Sequence, residues 1–329
     1  MAASPDASGN GRSSKLNTIT DIDLNRDVAV VTTAEGTVTA IRYSAPEGSV
    51  YRDWYQRLMP SEQSNSGDQD FTVDLGDQRW RACVYGHHHG RSASLRALPT
   101  TMPELQSLGF EEDQLLSLCS GTGLVLFAGP TGAGKSSTMA AVIRSQLARG
   151  CLGKTITIEH PIEYDHGDPL IHQREVGTHV DSFAEGVRNA LRQFPKTIVI
   201  GEIREPEAAA AAIDAGLSGH RVLATIHADS VRQAIERMWD RLDDQGDEML
   251  PGALQGVVAQ HLVRTPAGAL PVWESLAIDD ECRAVLSRGA EAINQLGYHQ
   301  TRQRRPMLHE CARQLMRDGV ATELLSQWL

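Results

Sequence analysis

The sequence lacks the signatures of several classes of protein. Its five cysteines, at positions 83, 119, 151, 282 and 311, contain no C-x-x-C pair. This scatter argues against a disulfide framework or a zinc site and indicates a reducing compartment. No run approaches the roughly 18 apolar residues that a membrane-spanning helix needs. Residues 1–15 lack the apolar core of a secretory signal, so we predict a disordered tail.

The chain also lacks an excess of basic residues. Its 31 Lys and Arg against 42 Asp and Glu give a net charge of −11. A strongly acidic balance argues against binding of DNA or anionic lipid over the whole surface, so we expect no direct sequence-specific contact with nucleic acid. The hydrophobic share of 41% is typical of a globular protein, and 329 residues indicate about two domains.

The sequence pattern changes near residue 100. Residues 16–98 contain four short β-like runs, at 27–33, 37–43, 71–75 and 80–85, with turn residues between them and one helix-like segment at 50–58, which predicts a small α+β domain. Prolines break regular structure in residues 99–103, which we predict to be a linker. Residues 104–329 repeat strand, loop and helix, which predicts an α/β domain with a parallel sheet. We expect helices to dominate from residue 231 onward.

The most specific motif is a phosphate-binding loop between a predicted strand and a predicted helix. Its sequence fits G-x-x-x-x-G-K-[ST] at every fixed position. Glycines let backbone N–H groups surround the phosphates, the lysine adds a positive charge, and the serine hydroxyl completes a Mg²⁺ shell. The predicted nucleotide-binding residues are Gly129, Pro130, Thr131, Gly132, Ala133, Gly134, Lys135, Ser136 and Ser137.

Polar residues follow the other predicted strands at the end where parallel sheets bind ligands. Glu159 and Glu163 follow one strand, Glu202 follows the buried run 197–201, and His227 follows another. Glu202 resembles a Walker B acid that would hold Mg²⁺, but it lacks the usual second carboxylate. We therefore predict that Glu163 orients and deprotonates the attacking water. ATP and Mg²⁺ are the expected ligands.

Four ordered motifs resemble those of the type II and type IV secretion and pilus ATPases, a family that includes DotB-like and TraJ-like transfer ATPases. They correspond to its Asp box, a linking motif, its glycine-bearing Walker B and its His box, with His160 at the usual aspartate position. The matching segments are Thr157–Tyr164, Gln173–Val176, Ile198–Arg204, and Gly219–His220 with Thr225–His227.

The resemblance implies a RecA-like P-loop domain preceded by a small PAS-like domain, assembled as a homohexamer. It implies that Glu163 is the catalytic glutamate and that Glu202 holds Mg²⁺. It also implies that His220 and His227 sense the γ-phosphate or couple it to subunit motion.

The resemblance also implies a role for arginines of the small domain, which reach the nucleotide of a neighbouring subunit in this family. Arg81 and Arg96 lie at the corresponding positions. The fixed fork and permanent charge of arginine suit the stabilisation of charge on phosphoryl oxygens.

The expected function is ATP hydrolysis that powers translocation or assembly in a type IV (IVB-like) secretion or conjugation system. Retraction motors carry the segment Ala-Ile-Arg-Asn-Leu-Ile-Arg-Glu, which residues 280–287 do not match, so pilus retraction is the alternative. The partners implied are inner-membrane secretion or pilus proteins, which would dock a cytoplasmic motor on the membrane. A P-loop kinase and a non-hydrolysing nucleotide-binding scaffold remain open.

Two further features favour ordinary solvated surface. His87–His89 could bind a metal, but no second ligand cluster is evident in the sequence. Residues 302–305 contain three arginines, yet such a short basic run in an acidic chain is typical of a solvent-exposed face.

Overall fold

The computed structural model describes residues 19–59, 67–265 and 268–329. Contacts divide the chain into two compact units. One extends to Thr101 and also includes Pro161–Tyr164, and the other comprises Met102–His160 and Asp165–Leu329. The predicted tail, residues 1–15, lies outside the described residues. The boundary near Thr101 lies within the predicted linker, whereas the association of Pro161–Tyr164 with the first unit was not predicted.

The first unit is built on an antiparallel sheet, which in the described residues has the strand order β3-β2-β1-β6-β5-β4. Trp54 and Leu58, on its helix, pack with Trp80 in the core of this unit. The sequence predicted four of these strands and missed β1 and β6. The elements are β1 (Ile19–Leu24), β2 (Val28–Thr33), β3 (Val38–Arg42), α1 (Ser49–Leu58), β4 (Gln69–Leu75), β5 (Gln78–His87) and β6 (Gly90–Ala97).

The second unit contains a mixed, mostly parallel sheet with the order β13-β12-β7-β11-β10-β8-β9 among the described residues. The pair of β12 and β13 is antiparallel, and the other neighbouring strands are parallel. The strands are β7 (Gly123–Ala128), β8 (Thr155–Glu159), β9 (Ile171–Glu175), β10 (Thr197–Ile200), β11 (Arg221–Ile226), β12 (Leu254–Thr265) and β13 (Gly268–Ala277).

Helices cover both faces of this sheet, which explains why β7, β10 and β11 are buried along their whole length. The helices are α2 (Glu112–Leu118), α3 (Lys135–Ala148), α4 (Phe183–Leu191), α5 (Pro206–Leu217), α6 (Val231–Trp239), α7 (Asp244–Ala253), α8 (Asp280–Leu286), α9 (Leu296–Arg302), α10 (Leu308–Arg317) and α11 (Thr322–Leu325), with 3₁₀ turns at Ala290–Gln295 and Ser326–Trp328.

Helices dominate after residue 231, as expected, but the sequence analysis missed β12 and β13, which form a long antiparallel pair there. Residues 254–263 mix six apolar residues with Gly256, Gln255, Gln260 and His261, and periodicity alone does not separate a buried strand from a buried helix in such a segment. In the described ranges, no helix has both the length and the apolar character needed to span a membrane.

Candidate functional site

The P-loop lies at the carboxyl end of β7 and leads into α3. Gly132 and Gly134 have φ of +77° and +84°, a conformation that glycine adopts without strain. Gly129 is required for space, since a Cβ there would lie 2.4 Å from the carbonyl oxygen of Gln260. The loop therefore needs its glycines both for its turns and for its contact with β12.

Lys135 places its charge inside the loop. Its side chain is buried, and Nζ donates to the carbonyl oxygens of Gly129 at 2.7 Å and Pro130 at 3.0 Å. The backbone N–H groups at the start of α3 add the positive end of the helix. This combination of an ammonium and oriented amides is suited to a phosphate chain.

Gln260 supports the same loop and was missed by sequence reasoning. This side chain of β12 is 1% exposed, and its Nε2 donates to the carbonyl oxygen of Ala133 at 2.6 Å. The contact joins residues 127 positions apart. No local motif signals it, because it depends on the pairing of β12 with β7.

Glu202 is the centre of a polar cluster beyond β10 and β11. Its Oε2 lies 2.6 Å from an Nη of Arg204, and its Oε1 lies 3.0 Å from Nε2 of His227. The Glu202 side chain is mostly buried, whereas Arg204 is largely exposed. The predicted acid and the predicted histidine are therefore in direct contact.

The charge state of His227 follows from its surroundings. Burial lowers the pKa of the imidazole below its usual 6.5, and the charge of Lys135 lowers it further, against an opposing effect of Glu202. We infer that His227 is neutral near pH 7 and that its Nε2–H donates to Glu202. The influence of Lys135 links this cluster to the P-loop within one electrostatic site.

Main-chain bonds hold the Glu202 segment in place. The N–H of Gly201 donates to Ile158 O at 2.7 Å, and the N–H of Ile203 donates to Thr225 O at 2.8 Å. The hydroxyl of Thr225 also donates to the carbonyl oxygen of Gly201 at 2.5 Å. These bonds fix the backbone on both sides of the acid between β8 and β11.

The available oxygen donors fit Mg²⁺. Ser136 follows Lys135 in the first turn of α3, and Glu202 supplies a carboxylate. Magnesium usually keeps several waters and takes only one or two protein oxygens beside the substrate phosphates. Because both carboxylate oxygens of Glu202 already contact cationic or N–H groups, this residue fits a water-mediated role.

Glu159 belongs to the neighbouring strand end. The hydroxyl of Thr157 donates to its Oε1 at 2.6 Å, and Nε2 of Gln173 donates to the same oxygen at 3.0 Å. The predicted linking motif therefore meets the predicted Asp box through a side-chain hydrogen bond between β8 and β9.

The structure places Arg81 and Arg96 directly opposite each other on β5 and β6. They share a face of the first unit's sheet, opposite the buried face that carries Trp80. Arg81 pairs with Asp70, and Arg96 Nε lies 2.8 Å from Asp21. The two arginines, which sequence reasoning proposed separately, thus form one basic pair.

Glu163 belongs to the same unit as this arginine pair. The pKa of Arg81 is raised chiefly by its hydrogen bond to Asp70 and, to a smaller degree, by the carboxylates of Asp70 and Glu163. The structure therefore brings Glu163 into the electrostatic environment of Arg81. The sequence placed Glu163 only by its distance from the strand at 155–158.

His220 lies away from the P-loop. Its carbonyl oxygen accepts from the N–H of Gly123, at the first residue of β7, while the P-loop follows the last. Six residues of strand span roughly 20 Å. His220 is therefore distant from the P-loop of its own subunit, and its expected role in sensing the γ-phosphate or coupling it to subunit motion stays a prediction.

Of the two features interpreted as surface, the histidine run makes local contacts and the basic run contacts residues that are distant in sequence. His87 uses both ring nitrogens, with Nε2 at 2.8 Å from the Ser92 hydroxyl and Nδ1 accepting from the N–H of His89. In the basic run, Arg302 pairs with Asp279 and Glu281, and Arg305 donates to Gln114 O.

Comparison with known proteins bears on this site. The family model described as "Type II/IV secretion system protein" matches residues 61–323. YggR of Escherichia coli, described as an uncharacterized protein, is 36% identical over 250 residues, which cover 73% of this chain and 76% of YggR. The chain spans 52% and 60% of the length of two pilus ATPase relatives.

Two solved structures share the fold. A structure of the pilus retraction motor PilT with bound ADP matches with a TM-score of 0.79 and 28% identity, covering 96% of this chain and 95% of that one. The Legionella pneumophila ATPase DotB matches with a TM-score of 0.81 and 24% identity, covering 96% and 92%.

These matches confirm the predicted fold, an α/β P-loop domain preceded by a small domain with an antiparallel sheet. They also confirm the resemblance drawn from the four motifs. Relatives in this group are secretion and pilus ATPases, which supports nucleotide binding and ATPase activity in general. The chain belongs to the type II/IV secretion system protein family.

Proposed function

We propose that this chain is a motor subunit that hydrolyses ATP and works as a homohexamer in a type IV (IVB-like) secretion or conjugation system. The observation that carries the proposal is the contact of Glu202 with His227, next to a P-loop whose Lys135 shifts the pKa of that histidine. The triphosphate bound by the P-loop, the acid Glu202 and the γ-phosphate sensor His227 would then lie together at the ends of the neighbouring strands β7, β10 and β11.

In this proposal the P-loop amides and Lys135 bind the triphosphate. Ser136 and Glu202 would hold Mg²⁺, which when bound neutralises charge on the β- and γ-phosphates. Glu163 takes a proton from the attacking water, and neutral His227 reports the terminal phosphate through its bond to Glu202. The side chains of Lys135, Glu202 and His227 are already oriented by the contacts described above.

Arg81 and Arg96 would act on the nucleotide of a neighbouring subunit. Their adjacent positions on β5 and β6 give a paired fork of permanent positive charge. Asp70 and Asp21 hold these side chains before any nucleotide arrives. The arginine pair therefore fits an arginine-finger role between subunits.

The catalytic proposal is tested with Glu163→Gln, measured as phosphate release without an acceptor and as calorimetric binding of Mg–ATP. We expect binding to persist and turnover to fall by about 10²- to 10⁴-fold. The matched control is Glu207→Gln, an exposed glutamate on α5. Unchanged turnover in Glu163→Gln would remove this residue from the mechanism.

The same assay separates the alternatives. Phosphate release that requires an added acceptor would indicate a kinase, and tight binding without release by the wild type would indicate a scaffold. The hexamer is tested by measuring the oligomeric mass with and without a non-hydrolysable ATP analogue. A monomer under both conditions would contradict the proposed assembly.

We further propose that the cellular system is secretion or conjugation and not pilus retraction. Where retraction motors carry their C-terminal motif, this chain has α8, whose acidic first turn pairs with Arg302. This difference supports secretion or conjugation, with docking on inner-membrane partners from the cytoplasmic side. Rescue of pilus retraction in a strain that lacks its own retraction ATPase would favour the alternative.

A further inference from the structure

We propose that a cavity beside the P-loop holds the nucleoside of ATP and that Trp328 is the surface on which the base stacks. The cavity has a volume of about 630 Å³ and is lined by Pro130–Ala133, by His261 and Arg264 of β12, and by Trp328. This inference rests on the proposed function and adds to it the residues that recognise the base.

The strand order gives a bound nucleotide a direction. β11 and β10, which lead to His227 and Glu202, lie on one side of the P-loop strand β7, and β12 lies on the other. A γ-phosphate that faces His227 and Glu202 leaves the nucleoside to extend towards the end of β12. The cavity is lined by residues from that end.

The lining separates this cavity from the phosphate site. Lys135 and Ser136, which would hold the phosphates, do not line it, whereas the first half of the P-loop does. Its volume lies within the roughly 300–1,000 Å³ typical of small-molecule pockets. The two sites are therefore adjacent and share a wall, as the two parts of one nucleotide require.

The aromatic groups are held in place before a ligand binds. The rings of His261 and Trp328 lie with centroids 5.2 Å apart at an angle of 57°. Nε2 of His261 lies 2.8 Å from the carbonyl oxygen of Asp229, which fixes the imidazole. Trp328 thus presents an indole face on a fixed support, and stacking on such a face suits any purine base.

Polar groups near this face can contact the edge of a base. Gln327 lines the cavity with an amide that can both donate and accept, and Arg264 adds a permanent cation. Apolar contact comes from Leu262 and Leu308. An aromatic face, an amide and apolar walls form the combination of groups expected to bind a heterocyclic base. The same groups would add little to the affinity for a bare phosphate chain.

The test compares calorimetric binding of Mg–ATP with that of Mg–tripolyphosphate, which has the phosphates and no nucleoside. In Trp328→Ala we expect the affinity for Mg–ATP to fall by about tenfold and the affinity for Mg–tripolyphosphate to stay unchanged. Tyr298→Ala, which removes an exposed aromatic ring on α9, is the matched control and should alter neither.

A second variant, Trp328→Phe, keeps an aromatic ring in the site and so preserves its packing. Trp328→Phe retains a ring against His261, so we expect it to bind Mg–ATP nearly as well as the wild type. Mg–ATP should quench tryptophan emission in the wild type and much less in Trp328→Phe, and Mg–tripolyphosphate should quench neither.

The outcomes separate the inference from the function on which it rests. If the wild type binds both ligands and Trp328→Ala binds both equally well, the base site is wrong and the phosphate site stands. Equal loss of both ligands in Trp328→Ala would assign Trp328 to support of the loop and also overturn the inference. If the wild type binds neither ligand, the proposed function fails as well.

Discussion

At the residue scale, the P-loop depends on a side chain that is remote in sequence. Gln260 is almost fully buried and donates to the carbonyl oxygen of Ala133, so the loop is supported from β12 as well as from β7 and α3. A buried acceptor that loses its donor costs more than the net strength of the bond itself. Gln260 therefore helps to fix the loop in its phosphate-binding shape.

Replacement of Gln260 by Leu should lower the free energy of unfolding by about 1–3 kcal/mol, because the carbonyl oxygen of Ala133 stays buried without its side-chain donor. It should also weaken binding of Mg–ATP. Urea denaturation and calorimetry measure the two effects. Gln255→Leu, at the opposite end of β12, is the matched control. Equal stability of the two variants would contradict the supporting role of Gln260.

A second residue-scale prediction concerns His227. Its pKa in the folded chain is below the usual 6.5, so the imidazole is protonated at a lower pH in the folded state than in the unfolded state. Its contribution to stability is therefore present above pH 6.5 and is lost as the pH falls below that value. Urea denaturation from pH 8 to pH 5 should show wild type losing stability relative to His227→Gln. A constant difference across this range would contradict the lowered pKa.

The sequence predicted those site residues that belong to short local motifs. Lys135 and Ser136 came from the P-loop, and Glu202 and His227 from polar positions after apolar strands. Gln260 and Trp328 could not be predicted, because their roles depend on which strand lies beside β7 and where Ser326–Trp328 packs. The distance of His220 from the P-loop could not be predicted, because a motif records spacing along the chain and does not record which end of a strand a residue occupies.

At the scale of elements, the P-loop and β12 form a closely packed pair. The chain has no room for a side chain at Gly129, where a Cβ would meet Gln260 O at 2.4 Å and the Cβ of Ala133 at 2.9 Å. The φ of +156° adds strain for any residue with a side chain. The β7–P-loop junction is therefore fixed by β12 as well as by its own turn.

Gly129→Ala should abolish measurable Mg–ATP binding and lower the melting temperature, because β12 and the loop must separate. Gly297→Ala is the matched control on α9, where an added Cβ meets nothing within 4 Å and φ is not positive. It should be neutral or stabilising by up to about 1 kcal/mol. Normal Mg–ATP affinity in Gly129→Ala would contradict the described packing.

The sequence predicted most central strands of the second unit's sheet but missed β12, for a physical reason. β7, β8, β10 and β11 are short apolar or β-branched runs with helices between them, and this alternation predicts a parallel sheet. β12 carries apolar residues at 254, 257, 258 and 262, a spacing that fits one face of a helix, and its polar Gln255, Gln260 and His261 leave no alternation typical of a strand. As a result, the γ-phosphate side of the site was predicted and the β12 side was not.

At the scale of the whole molecule, the account requires subunits to share sites. A subunit with Arg81→Ala and Arg96→Ala keeps its P-loop, and a subunit with Lys135→Ala keeps its arginines. Each variant alone should lose activity, by about 10³- to 10⁵-fold for the arginines if they act as a finger. Mixing the two variants should restore part of the phosphate release, since some sites then combine both intact parts.

The control for mixing is a subunit that carries all three substitutions, which should restore nothing when added to Lys135→Ala. Absence of recovery in the mixture of single-defect subunits, in samples shown to assemble together, would contradict the transfer of arginines between subunits. It would leave the phosphate site of the individual chain unaffected.

The central claim is that the P-loop with Lys135 binds a magnesium-complexed triphosphate for hydrolysis. Its most direct test is calorimetric titration of Mg–ATP into the wild type and into Lys135→Ala, with phosphate release followed in the same preparations. We expect saturable binding and phosphate release by the wild type and the loss of both in Lys135→Ala. Absence of binding by folded wild-type protein, or equal binding and release by the two proteins, would contradict it.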